Sequence, residues 1–268
     1  AMERKIGNHS YCTPLIMGIV NITPDSFYAP SRYLKPKEAC KRVARMIEEG
    51  ADIIDLGAAS SRPGAALLPP DREWARLVPV LQQLRRLFPD TLFSLDTFHS
   101  TVVERAFEVI GPFIINDISA GIDDPSMFSV AARLQLPLIA MHKKGSTSSD
   151  IVAEVRNFFA STLRRAHEAG LPQIILDPGF GFAKTTAQNY RIMAELSTVL
   201  DFSNVLRLIG ISRKSMIYGP LGITPKEALS ATSALHLCAL QQGVDILRVH
   251  DVAPAVQVIQ LHKLLSGF

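Results

Sequence analysis

The sequence has little from which a covalent framework, a membrane anchor or a nucleic-acid surface could be built. Its three cysteines, Cys12, Cys40 and Cys238, are odd in number, far apart and without metal-ligand spacing. That excludes a disulfide scaffold or a structural zinc knot, and predicts buried thiols in a reducing compartment. No apolar stretch approaches the roughly 18 residues of a membrane-spanning helix. No leader-like segment is recognisable, so the expectation is a cytoplasmic protein without membrane contact. Charge of one sign is scarce too: 28 Lys and Arg against 25 Asp and Glu leave a net charge of only +3. No basic run is interleaved with aromatics, so nucleic acid is not an expected partner. No GxGxxG follows the first apolar run, which counts against a doubly wound dinucleotide sheet. Neither HExxH nor a Ser-His-Asp set is present. Nothing is low-complexity or linker-like.

What is there is apolar and periodic. Of 268 residues, 47% are hydrophobic, enough for the core of one sizeable domain. Eight short apolar runs each end at or near a residue able to do chemistry. They are Leu15–Asn21, Ile53–Gly57, Leu92–Asp96, Phe113–Asp117, Leu136–His142, Ile174–Asp177, Leu206–Lys214 and Ile246–His250. Helical spacing fills the gaps: Pro36–Glu49 stopped by Gly50, a helix opened by Pro69-Pro70-Asp71, then stretches near Thr101–Val109, Met127–Leu134 and Ile151–Ala169. Further helices are predicted near Thr186–Val199, Lys226–Gln242 and Ala253–Leu265. Buried strands alternating with helices specify a parallel sheet. Eight such units predict an α/β fold of one domain, a (β/α)8 TIM barrel with its active mouth at the strand C-termini. Gly7-Asn8 is a turn signal, read as a short N-terminal hairpin closing the bottom of the barrel. The predicted seventh helix is apolar nearly all round, from Ala228 to Leu240. A barrel helix needs one apolar stripe only, so a homodimer through the later helices is expected.

The strand-end residues form the candidate site: Asn21, Asp96, Asn116, Asp117, His142, Asp177, Arg213, Lys214, Arg248 and His250. Barrels of this kind frequently hold phosphate on the loops after strands 7 and 8. Here those places carry Ser212-Arg213-Lys214-Ser215 and Arg248 with His250, followed by Asp251 as a candidate helix N-cap. Asp96, Asn116 and Asp177 suit a ligand edge rich in N–H donors, such as an aminopyrimidine. A carboxylate metal cage is the competing use. A Mg²⁺ shared between a diphosphate and one protein oxygen, for which Asn21 is the candidate, is compatible with either. The segment Asp177–Lys184 turns sharply on two glycines and offers Phe182 as a wall. Ala59-Ser60-Ser61-Arg62-Pro63-Gly64 reads as a lid or as an ordinary exposed loop.

Together these segments resemble the dihydropteroate synthases of folate biosynthesis. The matching pieces run in order: MGIVNITPDSF from Met17, GAASSRPGA from Gly57, SLDTF from Ser94, IINDISAG from Ile114 and MHKKG from Met141. ILDPGFGFAKT from Ile175, IGISRKSMI from Ile209 and ILRVHDV from Ile246 complete the set. The resemblance implies condensation of 6-hydroxymethyl-7,8-dihydropterin diphosphate with 4-aminobenzoate, with Mg²⁺, and a site that sulfonamides share. It implies that Asp96, Asn116, Met141, Asp177, Lys214 and Arg248 hold the pterin. Ser61, Arg62, Pro63, Phe182 and Ser215 would surround the aminobenzoate. Asn21, Arg62, Arg248 and His250 would take the diphosphate, Asn21 also the metal. Asp25 and Phe27 would lie in the first loop. Asp25, Arg62, Lys214, Arg248 and His250 would carry the reaction. The chain departs from the family at Ala183, where many members have glycine, and at Ala58. The alternatives are a corrinoid-linked pterin methyltransferase, a Schiff-base aldolase on Lys214, and a pterin-binding protein without turnover. His142 is given no role beyond a structural one.

Overall fold

The computed structural model describes residues 3–12, 14–22, 35–59 and 67–267. A two-stranded antiparallel hairpin opens the chain, with β1 (Glu3–Ile6) and β2 (His9–Cys12) joined through Gly7 at φ 57°. Eight parallel strands then close into a barrel: β3 (Leu15–Asn21), β4 (Ile53–Gly57), β5 (Leu92–Asp96), β6 (Ile114–Asp117), β7 (Leu138–Met141), β8 (Ile174–Asp177), β9 (Leu206–Ile209) and β10 (Ile246–Val249). The helices between them are α1 (Pro36–Glu49), α2 (Pro70–Leu87), α3 (Ser100–Ile110), α4 (Met127–Leu134) and α5 (Ile151–Ala169). The series continues with α6 (Thr186–Ala194), α7 (Leu196–Val199), α8 (Ser215–Leu221), α9 (Leu229–Gln241) and α10 (Val252–Ser266). The expected (β/α)8 barrel with its hairpin is thus observed.

The period of two along each strand sorts side chains between two cores. Leu15, Met17, Ile53, Leu92, Ile114, Ile139, Ile175, Leu206 and Ile246 point into the barrel and pack with Ile6 of the hairpin, which closes its lower end. Gln173 ties the hairpin down, accepting from Gly7 N and donating to Lys5 O. The alternate residues, such as Ile54, Phe93, Ile115, Ala140 and Leu176, face the helices. Counting upward in twos from the inner set reaches Asn21, Asp55, Asp96, Asn116, Met141, Asp177, Gly210 and Arg248. The same parity that buries the apolar plug therefore aims these groups at the mouth.

Several expectations need correction. Cys12 and Cys238 are exposed; only Cys40 is a buried thiol. The runs predicted to Lys214 and His250, and from Phe113 and Leu136, overshoot the paired strands, because their end residues belong to loops or to the register gap. Helix Thr186–Val199 breaks at Glu195, whose φ of −119° leaves helical geometry. The stretch from Lys226 begins as a 3-10 turn, Pro225–Glu227, closed by a Thr224–Glu227 capping box before α9 starts. Helix α8 was not expected at all. Among the described residues, no helix is long and apolar enough to cross a membrane.

Candidate active site

The centre of the mouth is an ion cluster around Arg248. Asp55 Oδ2 accepts from Arg248 Nε at 2.9 Å and lies 2.8 Å from Nη2, while Asp96 Oδ2 is 3.7 Å from Nη2. Asn116 Nδ2 donates to the same Asp55 oxygen at 3.3 Å, and the Ser94 hydroxyl donates to the other. Asp55 is 1% exposed. Burial opposes the guanidinium charge of Arg248, but Asp55 and Asp96 more than offset it, and its pKa is raised. Burial, then the neighbouring charge of Asp55, pushes Asp96 up to about 7 against the pull of Arg248. Two carboxylates sharing one cation cannot both ionise at full ease. Asp55 escaped the sequence reading because it sits mid-strand rather than at a strand end. The signal was available: a carboxylate within an apolar parallel strand must be paired.

Asp177, buried on β8, accepts from Gly179 N at 2.9 Å. Burial raises its pKa, opposed chiefly by Lys214. Lys214 caps α8, donates to Phe180 O at 2.6 Å and stands 5.0 Å from the centroid of Phe182. Burial lowers its pKa to about 8, with Asp177 opposing. A Cβ at Gly210 would lie 3.7 Å from Lys214 Nζ and 3.9 Å from Arg248 Cδ. The bare backbone there lies between the two cations, each within ordinary contact distance of that point. Met141 is buried at the top of β7, in register with Asp177. Asn21 ends β3 in the open, and Gly57 leaves room between it and Asp96. Ser215 is exposed on the first turn of α8. His250 stands exposed at the rim, its Nδ1 3.0 Å from Ser212 Oγ. Partial desolvation and the nearby Arg248 and Arg213 lower its pKa.

Three strand-end candidates do not face the mouth. Asp117 is turned to the helix layer, where its carboxylate accepts from Ser119 N, Ser119 Oγ and Gly121 N at 2.8, 2.7 and 2.9 Å. It shapes the β6–α4 loop. His142 has the same outward parity; it is fully buried, edge-on to Phe158 at 4.9 Å, and burial lowers its pKa to about 3. Arg213, expected on the anion, instead grips Asp251 through Nε at 2.8 Å and Nη2 at 2.6 Å. Asp251 accordingly occupies the N-cap position of α10 without a capping hydrogen bond. The pair joins the loops that carry Lys214 and His250.

Comparison with known proteins identifies the family. The model of the pterin binding enzyme family matches residues 17–250. The dihydropteroate synthase of Escherichia coli is 37% identical over 258 residues, covering 92% of this chain and 90% of its own. The chain belongs to the dihydropteroate synthase family. A Yersinia pestis dihydropteroate synthase solved with a sulfonamide drug complex superposes with a TM-score of 0.90, at 32% identity over 99% of both chains. A Xanthomonas albilineans dihydropteroate synthase with 4-aminobenzoic acid superposes at 0.88, with 36% identity over 96% of this chain and 94% of that one. Asp25, Phe27, Ser61, Arg62 and Pro63, which the dihydropteroate synthase resemblance places on the first two loops, lie outside the described residues. Of the other nominated residues, Asn21, Asp96, Asn116, Met141, Asp177 and Arg248 share the inward strand parity, and Phe182, Lys214, Ser215 and His250 follow the C-terminal ends of β8, β9 and β10.

Proposed function

We propose that the chain condenses 6-hydroxymethyl-7,8-dihydropterin diphosphate with 4-aminobenzoate, giving 7,8-dihydropteroate and diphosphate. The observation that carries the reading is the gathering of Arg248, Lys214, Asp96, Asn116 and Asp177 around the strand C-termini, with His250 on the loop after β10. In this reading the carboxylates and the amide take the N–H edge of the pterin. Arg248 and His250 take the diphosphate. Phe182 and Ser215 face the aminobenzoate, with Ser61, Arg62 and Pro63 assigned there from family likeness, and sulfonamides compete for that place.

The reaction asks for positioning and charge complementarity rather than a protein nucleophile. The bond from the exocyclic methylene to the diphosphate oxygen breaks, and its electron pair leaves with the diphosphate. The cation left on the methylene is delocalised into the pterin ring. The amine of aminobenzoate supplies its lone pair to form the C–N bond, then loses a proton to solvent or to the departing diphosphate. Arg248, held in position by Asp55, is assigned to the negative charge that collects on the leaving group. The family likeness assigns Asp25 a part in stabilising the developing cation. Lys214, whose ammonium donates to Phe180 O, is assigned to the pterin face in this reading.

Among the described residues, no group of three His, Cys, Asp or Glu is placed to hold a metal. A lone exposed amide oxygen, that of Asn21, fits Mg²⁺, which keeps most of its waters and leans on substrate phosphate. When bound, Mg²⁺ would neutralise diphosphate charge. The exposed apolar side chains Leu261, Leu264 and Leu265 of α10 and Cys238 of the neighbouring α9 support a homodimer through these helices. Unpaired exposed thiols suit a reducing, cytoplasmic setting.

The test of the assignment is product formation. Protein incubated with the pterin diphosphate, 4-aminobenzoate and Mg²⁺ is expected to give 7,8-dihydropteroate, identified by mass. Folded protein that makes none rejects the proposal.

A further inference from the structure

We propose that Lys184, whose ammonium is bound to backbone carbonyls, is a positioning residue that sets the aminobenzoate wall by tying the β8–α6 loop to the end of β7. The inference rests on the aminobenzoate assignment of Phe182 above. Its basis is the surroundings of one ammonium. Lys184 Nζ donates to His142 O at 2.9 Å, Gly179 O at 3.0 Å and Phe182 O at 3.3 Å. All three protons of the group are thereby spent on backbone carbonyls of two separate loops.

The geometry explains why a cation is needed. Gly179, at φ 73°, runs so close to β7 that a Cβ there would lie 1.9 Å from His142 O. The two segments are pressed together with carbonyl oxygens of like partial charge turned to one point. An ammonium between them converts that repulsion into attraction, and charge-assisted hydrogen bonds are the strong kind. The desolvation of Lys184 lowers its pKa to about 8, against the pull of Asp177 and Glu154.

The rest of the loop is held from other directions. Gly181 N donates to Asn189 Oδ1 at 3.1 Å, Phe182 N donates to Gly179 O at 3.1 Å, and Lys214 binds Phe180 O. Lys214 thus fixes the loop from the pterin side and Lys184 from the helix side. Losing Lys184 frees the carbonyl of Phe182, the residue whose ring is assigned to the wall, and leaves Gly179 O with only its bond from Phe182 N. Asp177, before the turn, keeps its place in the strand ladder. The aminobenzoate subsite should therefore loosen while the pterin subsite is retained.

The experiment compares wild type with Lys184→Met and Lys184→Ala by calorimetry and steady-state kinetics. Both variants are expected to raise the KM for 4-aminobenzoate at least tenfold, with affinity for the bare pterin changed less than twofold. Added ethylamine should restore much of the loss in Lys184→Ala and none in Lys184→Met, whose side chain fills the space. Equal loss of both ligands, or no loss of either, overturns the inference. A ligand-free readout separates it from the substrate assignment: amide exchange at Phe182 should quicken at least tenfold in Lys184→Met. Unchanged protection there overturns the role of Lys184 even if substrate assignments stand. If the wild type binds neither substrate while exchange quickens, the assignment of substrates fails and the tether survives.

Discussion

Asp55 is the residue on which the mouth depends without offering itself to solvent, and its substitution by asparagine is the most informative perturbation. One oxygen of Asp55 receives Arg248 Nε and Nη2 at 2.9 and 2.8 Å and Asn116 Nδ2 at 3.3 Å. Removing the side chain altogether, as in Asp55→Ala, leaves Arg248 with Asp96 at 3.7 Å. Breaking a buried pair in this way costs about 3–5 kcal/mol, a large share of the roughly 5–15 kcal/mol of a typical domain. Asp55→Asn keeps volume and an acceptor but deletes the charge, so the fold is expected to survive. Hydrogen bonds to charged groups contribute about 1.5–3 kcal/mol each. Weakening two of them should lower kcat/KM by about 100-fold to 1,000-fold at 1.4 kcal/mol per factor of ten. A second consequence is electrostatic. The charge of Asp55 helps to push Asp96 up to about 7, so its removal should lower that pKa. The pterin edge needs Asp96 as an ionised acceptor. Affinity for the bare pterin, titrated by calorimetry, should fall on the acid side of about 7 in the wild type. In Asp55→Asn this inflection should move to lower pH. An unmoved inflection together with unchanged kcat/KM would refute the reasoning.

Other predictions address the frame and the metal. Gly179→Ala places a Cβ 1.9 Å from His142 O on a backbone at φ 73°. Left-handed strain of about 1–2 kcal/mol and about 1–3 kcal/mol of overpacking should lower the denaturant midpoint clearly; an unshifted midpoint counts against the close approach. Glu73, 1% exposed and accepting from Thr97 Oγ1 at 3.1 Å, is raised by burial from 4.5 to about 7. The folded state thus holds a proton that the unfolded state has lost, so this group's effect on stability becomes less favourable as pH rises from about 4.5 to about 7. At about 1.4 kcal/mol per pKa unit, Glu73→Gln should stabilise by up to about 3 kcal/mol at pH 8 and little at pH 4; thermal melts at both pH values check it, and equal effects would count against it. Asn21→Ala should raise the Mg²⁺ concentration for half-maximal turnover about tenfold, roughly 1.4 kcal/mol, with bare-pterin affinity unchanged; an unaltered Mg²⁺ requirement removes Asn21 from the metal site.

The barrel was legible because buried parallel strands and one-sided helices leave different periods in the chain. Pro36–Glu49 ends at Gly50, and Ile151–Ala169 runs from the Asp150 cap to Gly170, where cap and turn residues say they should. Helix α8 was not legible: Gly219, Pro220 and its seven residues carry no helical pattern, and it forms on the loop geometry around Lys214. Strand-end residues were easy to nominate and harder to sort. Asn116 and Asp117 are neighbours in sequence, yet only Asn116 has the inward parity of Ile114. Asp117 and His142 were counted with the mouth because the register of each strand was not fixed by its run alone. Arg213 was misplaced for another reason: at φ 54° its backbone turns the side chain to Asp251, a conformation the sequence does not announce. Ala183, where a glycine is usual in the family, adopts that left-handed region as well, at φ 51°. A side chain held there costs local strain of the order of 1 kcal/mol.

The central claim is that one mouth couples departure of diphosphate to attack by an aromatic amine. The most direct measurement is diphosphate release by the purified protein with Mg²⁺, followed with the pterin diphosphate alone, with 4-aminobenzoate alone and with both. The account predicts sustained release only with both, one diphosphate for each 7,8-dihydropteroate formed, and its suppression by a sulfonamide. Release at the same rate without 4-aminobenzoate, or none from folded protein that still binds the pterin, would contradict it.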